Sequence, residues 1–257
     1  MSSNQTRWIL IEGRHPVMEV LRAGREVREV LVLEGVRAHA VRDIERLAGE
    51  RGIPIRRIEK DEFRRLVRTA APQGVAAYAR AVEYVPLHQL LAADQKKPGL
   101  LLVCDGIVDP QNLGALIRSA DAAGCTGVVI PKHRAVGLTQ SVFKASAGAA
   151  AYVPVAQVTN LSRALEAMKE AGYWIAGAAM NGERTLWEVD FRIPTAIVIG
   201  AEGRGLSRLV AERCDFLVSI PMVGRVSSLN ASVAGALIMY EALRQRSGPE
   251  RANSFVP

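Results

Sequence analysis

Apolar residues along this chain fall into two regimes. From residue 7 to about 82, short apolar runs ("WILI", "EVLVLE", "IPIRRI" and "GVAAYA") are separated by polar stretches with helical spacing, such as "AHAVRDIERLAGERG". Short strands alternating with helices predict a small α/β domain. From residue 99 onward the runs are unbroken: "GLLLVC", "GVVIP", "YVPVA", "YWIAGAA", "TAIVIG" and "FLVSIP". Strands that are apolar on both faces predict a mostly parallel sheet covered by helices on each side. Between the regimes, "YVPLHQLLAADQKKP" has a proline near each end and a basic pair, and reads as a linker with one short helix. The expected division is an N-terminal domain over 1–83, a linker over 84–98, a C-terminal domain over 99–247 and a frayed tail over 248–257.

Charge adds one inference. The chain of 257 residues carries a net +7. Residues 1–85 hold 16 Lys/Arg against 12 Asp/Glu, so the first domain supplies more than half of that excess. A basic surface suits a polyanionic partner. Cys104, Cys125 and Cys214 form no CxxC pair and no ligand spacing, so reduced thiols, a cytoplasmic setting and no metal are expected. The start, "MSSNQTRWILIEGRH", lacks a basic segment followed by an apolar core, and no apolar run approaches the roughly 18 residues of a membrane span.

Three segments of the C-terminal regime break its pattern, each where a strand ends: "DGIVDPQNLGALIRSA", "IVIGAEGRGLS" and "SIPMVGRVSSLNASVAGA". Open α/β sheets bind ligands beyond the carboxyl ends of their strands. In the first, Asp109 before Pro110 reads as a helix start. Arg118, leaning back over Gly114, would sit near Asn112 at that start and favour a phosphate or a ribose hydroxyl; the plainer reading pairs it with Asp121. In the second, Gly200, Gly203 and Gly205 give GxxGxG, which is neither a dinucleotide fingerprint nor a P-loop. Glu202 stands between these glycines, as a site residue or a solvated turn. In the third, Ser228, Leu229 and Asn230 precede a helix that is apolar on most sides; Asn230 reads most simply as its N-cap.

Taken together, the three segments resemble the signature motifs of the SpoU branch of the SPOUT RNA methyltransferases. "EGRHPVMEVLRAG" and "QGVAAYA" look like the small ribosomal-protein-like RNA-binding domain of the RlmB group, which makes 2′-O-methylguanosine in large-subunit rRNA. The resemblance implies a parallel α/β sheet with a deep trefoil knot and a homodimer formed through the knotted domain. It implies S-adenosylmethionine contacted at Gly200, Ile220, Leu229 and, after "YWIAGAA", Ala178. Arg118 assisted by Asn112 would act at the ribose hydroxyl, with Glu202, Ser228 and Asn230 completing the site. Whether Arg118 removes the proton or stabilises the alkoxide stays open, as does Glu202 as base. A tRNA guanosine, another rRNA nucleotide and a non-catalytic RNA-binding relative are the alternatives.

Overall fold

A computed structural model describes residues 8–68, 73–92 and 98–247. The predicted tail over 248–257 and residues 93–97 of the predicted linker lie outside the described residues. The chain divides into two compact units, residues 1–83 with 138–152, and residues 84–137 with 153–257.

The first unit holds β1 (Trp8–Glu12), α1 (Arg14–Arg22), β2 (Val27–Leu33), α2 (Arg42–Glu50), β3 (Ile55–Ile58), α3 (Lys60–Leu66) and β4 (Val75–Arg80). Its sheet runs β1-β4-β2-β3, with β4 antiparallel to both neighbours and β3 parallel to β2. Helix spacing buries Pro16, Val17, Val20 and Leu21 on α1, and Ile44 and Ala48 on α2. Leu31, Ile58, Phe63 and Ala76 form a core beneath α3. Residues 138–152, which belong by sequence to the second regime, join this unit, and two of their hydrogen bonds show how. Gln140 Nε2 donates to the buried carboxylate of Glu12. Tyr152 donates its hydroxyl to Glu19 Oε2 over 2.7 Å.

The second unit holds α4 (Leu87–Ala92), β5 (Leu100–Asp105), α5 (Pro110–Ala122) and β6 (Gly127–Pro131); α6 (Gln140–Ala145) lies in the segment already assigned to the first unit. The second unit continues through β7 (Val155–Val158), α7 (Leu161–Glu170), β8 (Trp174–Ala178), β9 (Arg184–Thr185), β10 (Thr195–Gly200), α8 (Arg208–Ala211), β11 (Phe216–Ser219) and α9 (Ala231–Arg246). Its seven strands run β7-β6-β5-β10-β8-β11-β9, and every pairing is parallel. This is the sheet that the apolar runs predict. Leu100 to Cys104 and all of β10 are buried, as central parallel strands must be. One face packs under α7, with Leu165 and Met168 against Leu101, Val103, Ala196 and Val198. On α9, a Cβ at Gly235 would come 2.4 Å from Leu116 and 3.3 Å from Ile199, so this glycine lets α9 lie close against α5 and β10. Two strands differ from the sequence expectation: β7 begins at Val155 rather than Tyr152, and the two-residue β9 has no apolar run to announce it.

Candidate active site

β5 and β10 are neighbours in register, and Gly200 pairs with Asp105. The first and second polar segments therefore leave the sheet side by side. β6 and β7 lie on one side of β5 and the later strands on the other, so strand order diverges here, the place where open α/β sheets bind their ligands.

The start of α5 is built as its sequence predicts. Asp109 caps it, accepting from Gln111 N (3.1 Å) and Asn112 N (3.3 Å), and Pro110 occupies the first helical position. That places Asn112 in the first turn, where it is 8% exposed. The loop after β10 is tight: Gly205 N donates to Ala201 O over 2.8 Å, and Gly203 and Gly205 take φ of 76° and 68°, which suits residues without a Cβ. A Cβ at Gly200 would come 2.1 Å from the backbone carbon of Gly205, so a side chain there would force the loop open. Asp105 Oδ2 accepts from Ser207 N over 2.6 Å and anchors the far end of the loop. Sequence reading did not single out Asp105. The signal would have been its place beside Gly200, which only strand order reveals.

Asn230 caps α9, as its simplest reading has it. Its Oδ1 accepts from Ser232 N (2.9 Å) and Val233 N (3.3 Å). With the oxygen committed to the helix, the Nδ2 group must face away from it. It donates to Asn112 Oδ1 (2.9 Å) and lies 3.5 Å from Glu202 Oε2. Asn112, its oxygen facing Asn230, turns its own Nδ2 to Glu202 Oε2 at 3.1 Å. One chain of donors thus runs from a helix cap through two amides to a carboxylate, and it joins all three polar segments. Glu202 Oε1 accepts no hydrogen bond among the described residues.

The remaining predicted residues fall into two groups. Ala178, Gly200 and Ile220 stand at the carboxyl ends of β8, β10 and β11, adjacent strands, and Leu229 precedes α9; all but the buried Gly200 are half-buried. No backbone group of residues 220–229 is hydrogen-bonded to another described backbone group, which leaves donors and acceptors open to a ligand. Arg118 and Ser228 are exposed, and among the described residues neither side chain makes a hydrogen bond or an ion pair, so Asp121 is not the ion-pair partner of Arg118. Cys104, the residue before Asp105, is no nucleophile: burial, and then the charge of Asp105, push its thiol up to about 12. A separate open depression lined by Trp187, Asp190, Arg192 and Arg244 contains none of the motif residues, and its cations are paired with Asp190 and Glu241. Among the described residues, no three His, Cys, Asp or Glu side chains gather as a metal site, and no helix is long and apolar enough to cross a membrane.

Such an arrangement, polar groups converging at the carboxyl edge of a parallel sheet, defines an α/β ligand-binding or catalytic protein. Comparison with known proteins narrows it. The profile of the SpoU rRNA methylase family matches residues 99–240, and that of an RNA 2′-O ribose methyltransferase substrate-binding domain matches residues 10–85. A Staphylococcus haemolyticus protein named for the TrmH family of tRNA/rRNA methyltransferases is 45% identical over 93% of this chain and 96% of its own. Among solved structures, the SpoU methyltransferase AviRb of Streptomyces viridochromogenes, in complex with its cofactor AdoMet, superposes with a TM-score of 0.77 at 29% identity, over 93% of this chain and 90% of its own. A structure described as an RNA 2′-O ribose methyltransferase gives 0.78 at 32% identity, over 95% and 90%. The chain belongs to the SpoU rRNA methylase family.

Proposed function

We propose that this chain transfers a methyl group from S-adenosylmethionine to a ribose 2′-hydroxyl of RNA, and that the target is a guanosine of large-subunit rRNA. The observation that carries the reading is the Asn112–Glu202–Asn230 chain of hydrogen bonds, which gathers the polar residues of three distant segments at one strand edge. An RNA substrate is supported by the N-terminal match to a substrate-binding domain and by the basic excess of residues 1–85, and the large-subunit rRNA guanosine by the resemblance of "EGRHPVMEVLRAG" and "QGVAAYA" to the RlmB group.

The residues present fit the cofactor. S-adenosylmethionine has an apolar-faced adenine and many polar edges but no phosphate, so it needs no Gly-Lys loop. Ala178, Ile220 and Leu229 offer half-buried apolar surface, and the open backbone groups of residues 220–229 offer donors and acceptors. The cofactor supplies an electrophilic methyl on a sulfonium, a group that needs no Lewis acid.

The protein's own task is at the hydroxyl. A ribose hydroxyl is a weak nucleophile and must lose its proton as it attacks. In this reading Arg118, exposed and without an ion-pair partner among the described residues, supplies a fixed positive charge to a developing alkoxide. A guanidinium is not deprotonated in proteins, so stabilising the alkoxide is a more economical role than accepting its proton. Glu202 is held by two amides through Oε2, and its open Oε1 can receive a hydroxyl proton. Asn112 and Asn230 orient that carboxylate.

The knot and the dimer belong to the same proposal. β10 lies between β5 and β8, both earlier in the chain, an order compatible with a threaded segment. Val233, Leu237 and Tyr240 stand at i, i+4 and i+7 on α9, and each is more than two-fifths exposed. This apolar stripe fits a second copy of the chain. The test is incubation of unmodified rRNA and tRNA with labelled S-adenosylmethionine and the full chain, followed by mapping of the label. A 2′-O-methylated rRNA guanosine is expected. Label found only in tRNA, on a base, or in neither RNA would refute the reading.

A further inference from the structure

Beyond β6 the chain makes an exposed basic turn, Lys132-His133-Arg134. Its position is fixed at both ends by backbone hydrogen bonds. Lys132 N donates to Val158 O over 2.8 Å, and Val136 N donates to Ile107 O over 2.9 Å. The second bond lays the turn along the start of the first polar segment. One point measures how near it comes to the candidate site: a Cβ built on Gly106 would lie 3.9 Å from the carbonyl oxygen of Arg134 and 3.8 Å from Cβ of Ala201, the residue before Glu202. The backbone of the turn and the root of the Glu202 loop thus flank the same glycine.

The charges of this turn are uncommitted. In the second unit Lys169, Arg192, Arg208, Arg213 and Arg244 each have a carboxylate partner. Lys132 and Arg134 have none among the described residues. The carboxylates of the first segment are occupied elsewhere: Asp105 accepts from Ser207 N, and Asp109 caps α5. Arg134 also takes a φ of 58°, in the left-handed region that an arginine rarely adopts. A cation held there against its backbone preference, its backbone beside the candidate site and without a carboxylate partner among the described residues, is available to an anionic ligand.

We propose that Lys132 and Arg134 grip backbone phosphates of the RNA strand next to the target ribose. The idea rests on the RNA-methyltransferase reading above and adds to it a second place of contact, separate from the N-terminal unit. Arginine's planar fork matches two phosphate oxygens, and lysine adds a point charge. Contacts to the backbone hold a strand in register without reading its sequence, so the turn sets where the ribose lies and leaves the choice of base to other residues.

The test uses the full chain and three variants: Lys132→Ala with Arg134→Ala, Arg134→Ala alone, and Arg134→Gly. Affinity for transcribed, unmodified large-subunit rRNA and for a tRNA transcript is measured by filter binding across a salt series, and S-adenosylmethionine affinity by calorimetry. The double variant should bind its preferred transcript at least about tenfold more weakly. Its plot of log affinity against log salt should be shallower by roughly one to two, since each phosphate contact contributes about 0.7–0.9 to that slope. S-adenosylmethionine affinity should not change. Arg134→Gly relaxes the backbone but removes the charge, so it should melt no lower than the wild type and still lose RNA affinity as Arg134→Ala does. Wild-type affinity and slope in the double variant would overturn the proposal, as would full RNA binding by Arg134→Gly. Because these readouts need no methyl transfer, an enzyme inactive on every RNA would count against the proposed function and not against this grip.

Discussion

Asn230 donates from Nδ2 to Asn112 Oδ1 across 2.9 Å and so links the first turns of α9 and α5, 118 residues apart. The same side chain caps α9 through its oxygen. Two substitutions separate these roles. Asn230→Ala removes cap and donor together and should cost about 1 kcal/mol of stability with most of the activity. Asn230→Asp keeps a capping oxygen but turns a second carboxylate oxygen toward Asn112 Oδ1 and Glu202. It should melt within a few degrees of the wild type, yet lose about tenfold or more in turnover at neutral pH. Wild-type turnover in Asn230→Asp would reduce the contact to a helix cap.

Gly200 has no room for a side chain, because its Cβ position lies 2.1 Å from the Gly205 backbone carbon. Gly200→Ala should push residues 201–206 outward, at a cost of about 1–3 kcal/mol. S-adenosylmethionine binding should weaken at least tenfold. Thermal melting and calorimetry on one preparation check both. Unchanged melting would mean that the loop relaxes freely and is not held as described.

How much of this the sequence shows depends on distance along the chain. β5 and β10 are legible because a strand buried on both faces must be apolar throughout. β9 is not, since Arg184–Thr185 has two residues and no apolar pattern. Both readings of Asn230, cap and site residue, hold at once, and sequence alone sets them against each other. The donor chain through Asn112 and Glu202 depends on β10 lying beside β5, a choice of neighbour that local pattern does not encode. Nor does local pattern place α6 with the first unit, because the contact of Gln140 with Glu12 spans 128 residues.

That contact has a consequence for fragments. Val142 and Phe143 of α6 are buried within the first unit. A fragment beginning at Pro98 should leave them uncovered. Limited proteolysis should cut the fragment between residues 138 and 152 many times faster than the full chain. Equal cleavage rates would show that α6 does not depend on the first unit for its order.

The three thiols should be silent in the folded protein. Burial is the main cause that pushes Cys104, Cys125 and Cys214 up to about 12. Unfolded cysteine ionises near 8.5, so the folded state holds more protons above that pH and should lose stability as pH rises from about 8.5 toward 12. At pH 8 a thiol-reactive disulfide reagent should label none of the three in the native protein and all three in denaturant. Rapid native labelling of Cys104 would contradict its complete burial; Cys125 and Cys214 are half-buried.

In the proposed reaction Arg118 acts at a ribose hydroxyl. The most direct measurement is single-turnover methyl transfer to unmodified large-subunit rRNA by Arg118→Ala, alongside its S-adenosylmethionine affinity. Arg118 lies on α5, which carries none of the residues proposed to hold the cofactor, so that affinity should stay within about twofold of wild type. Loss of one preorganised charge stabiliser should slow transfer about 100- to 1,000-fold. Transfer at the wild-type rate with cofactor binding intact would contradict that role, leaving Arg118 as an exposed helix residue with no part in the chemistry.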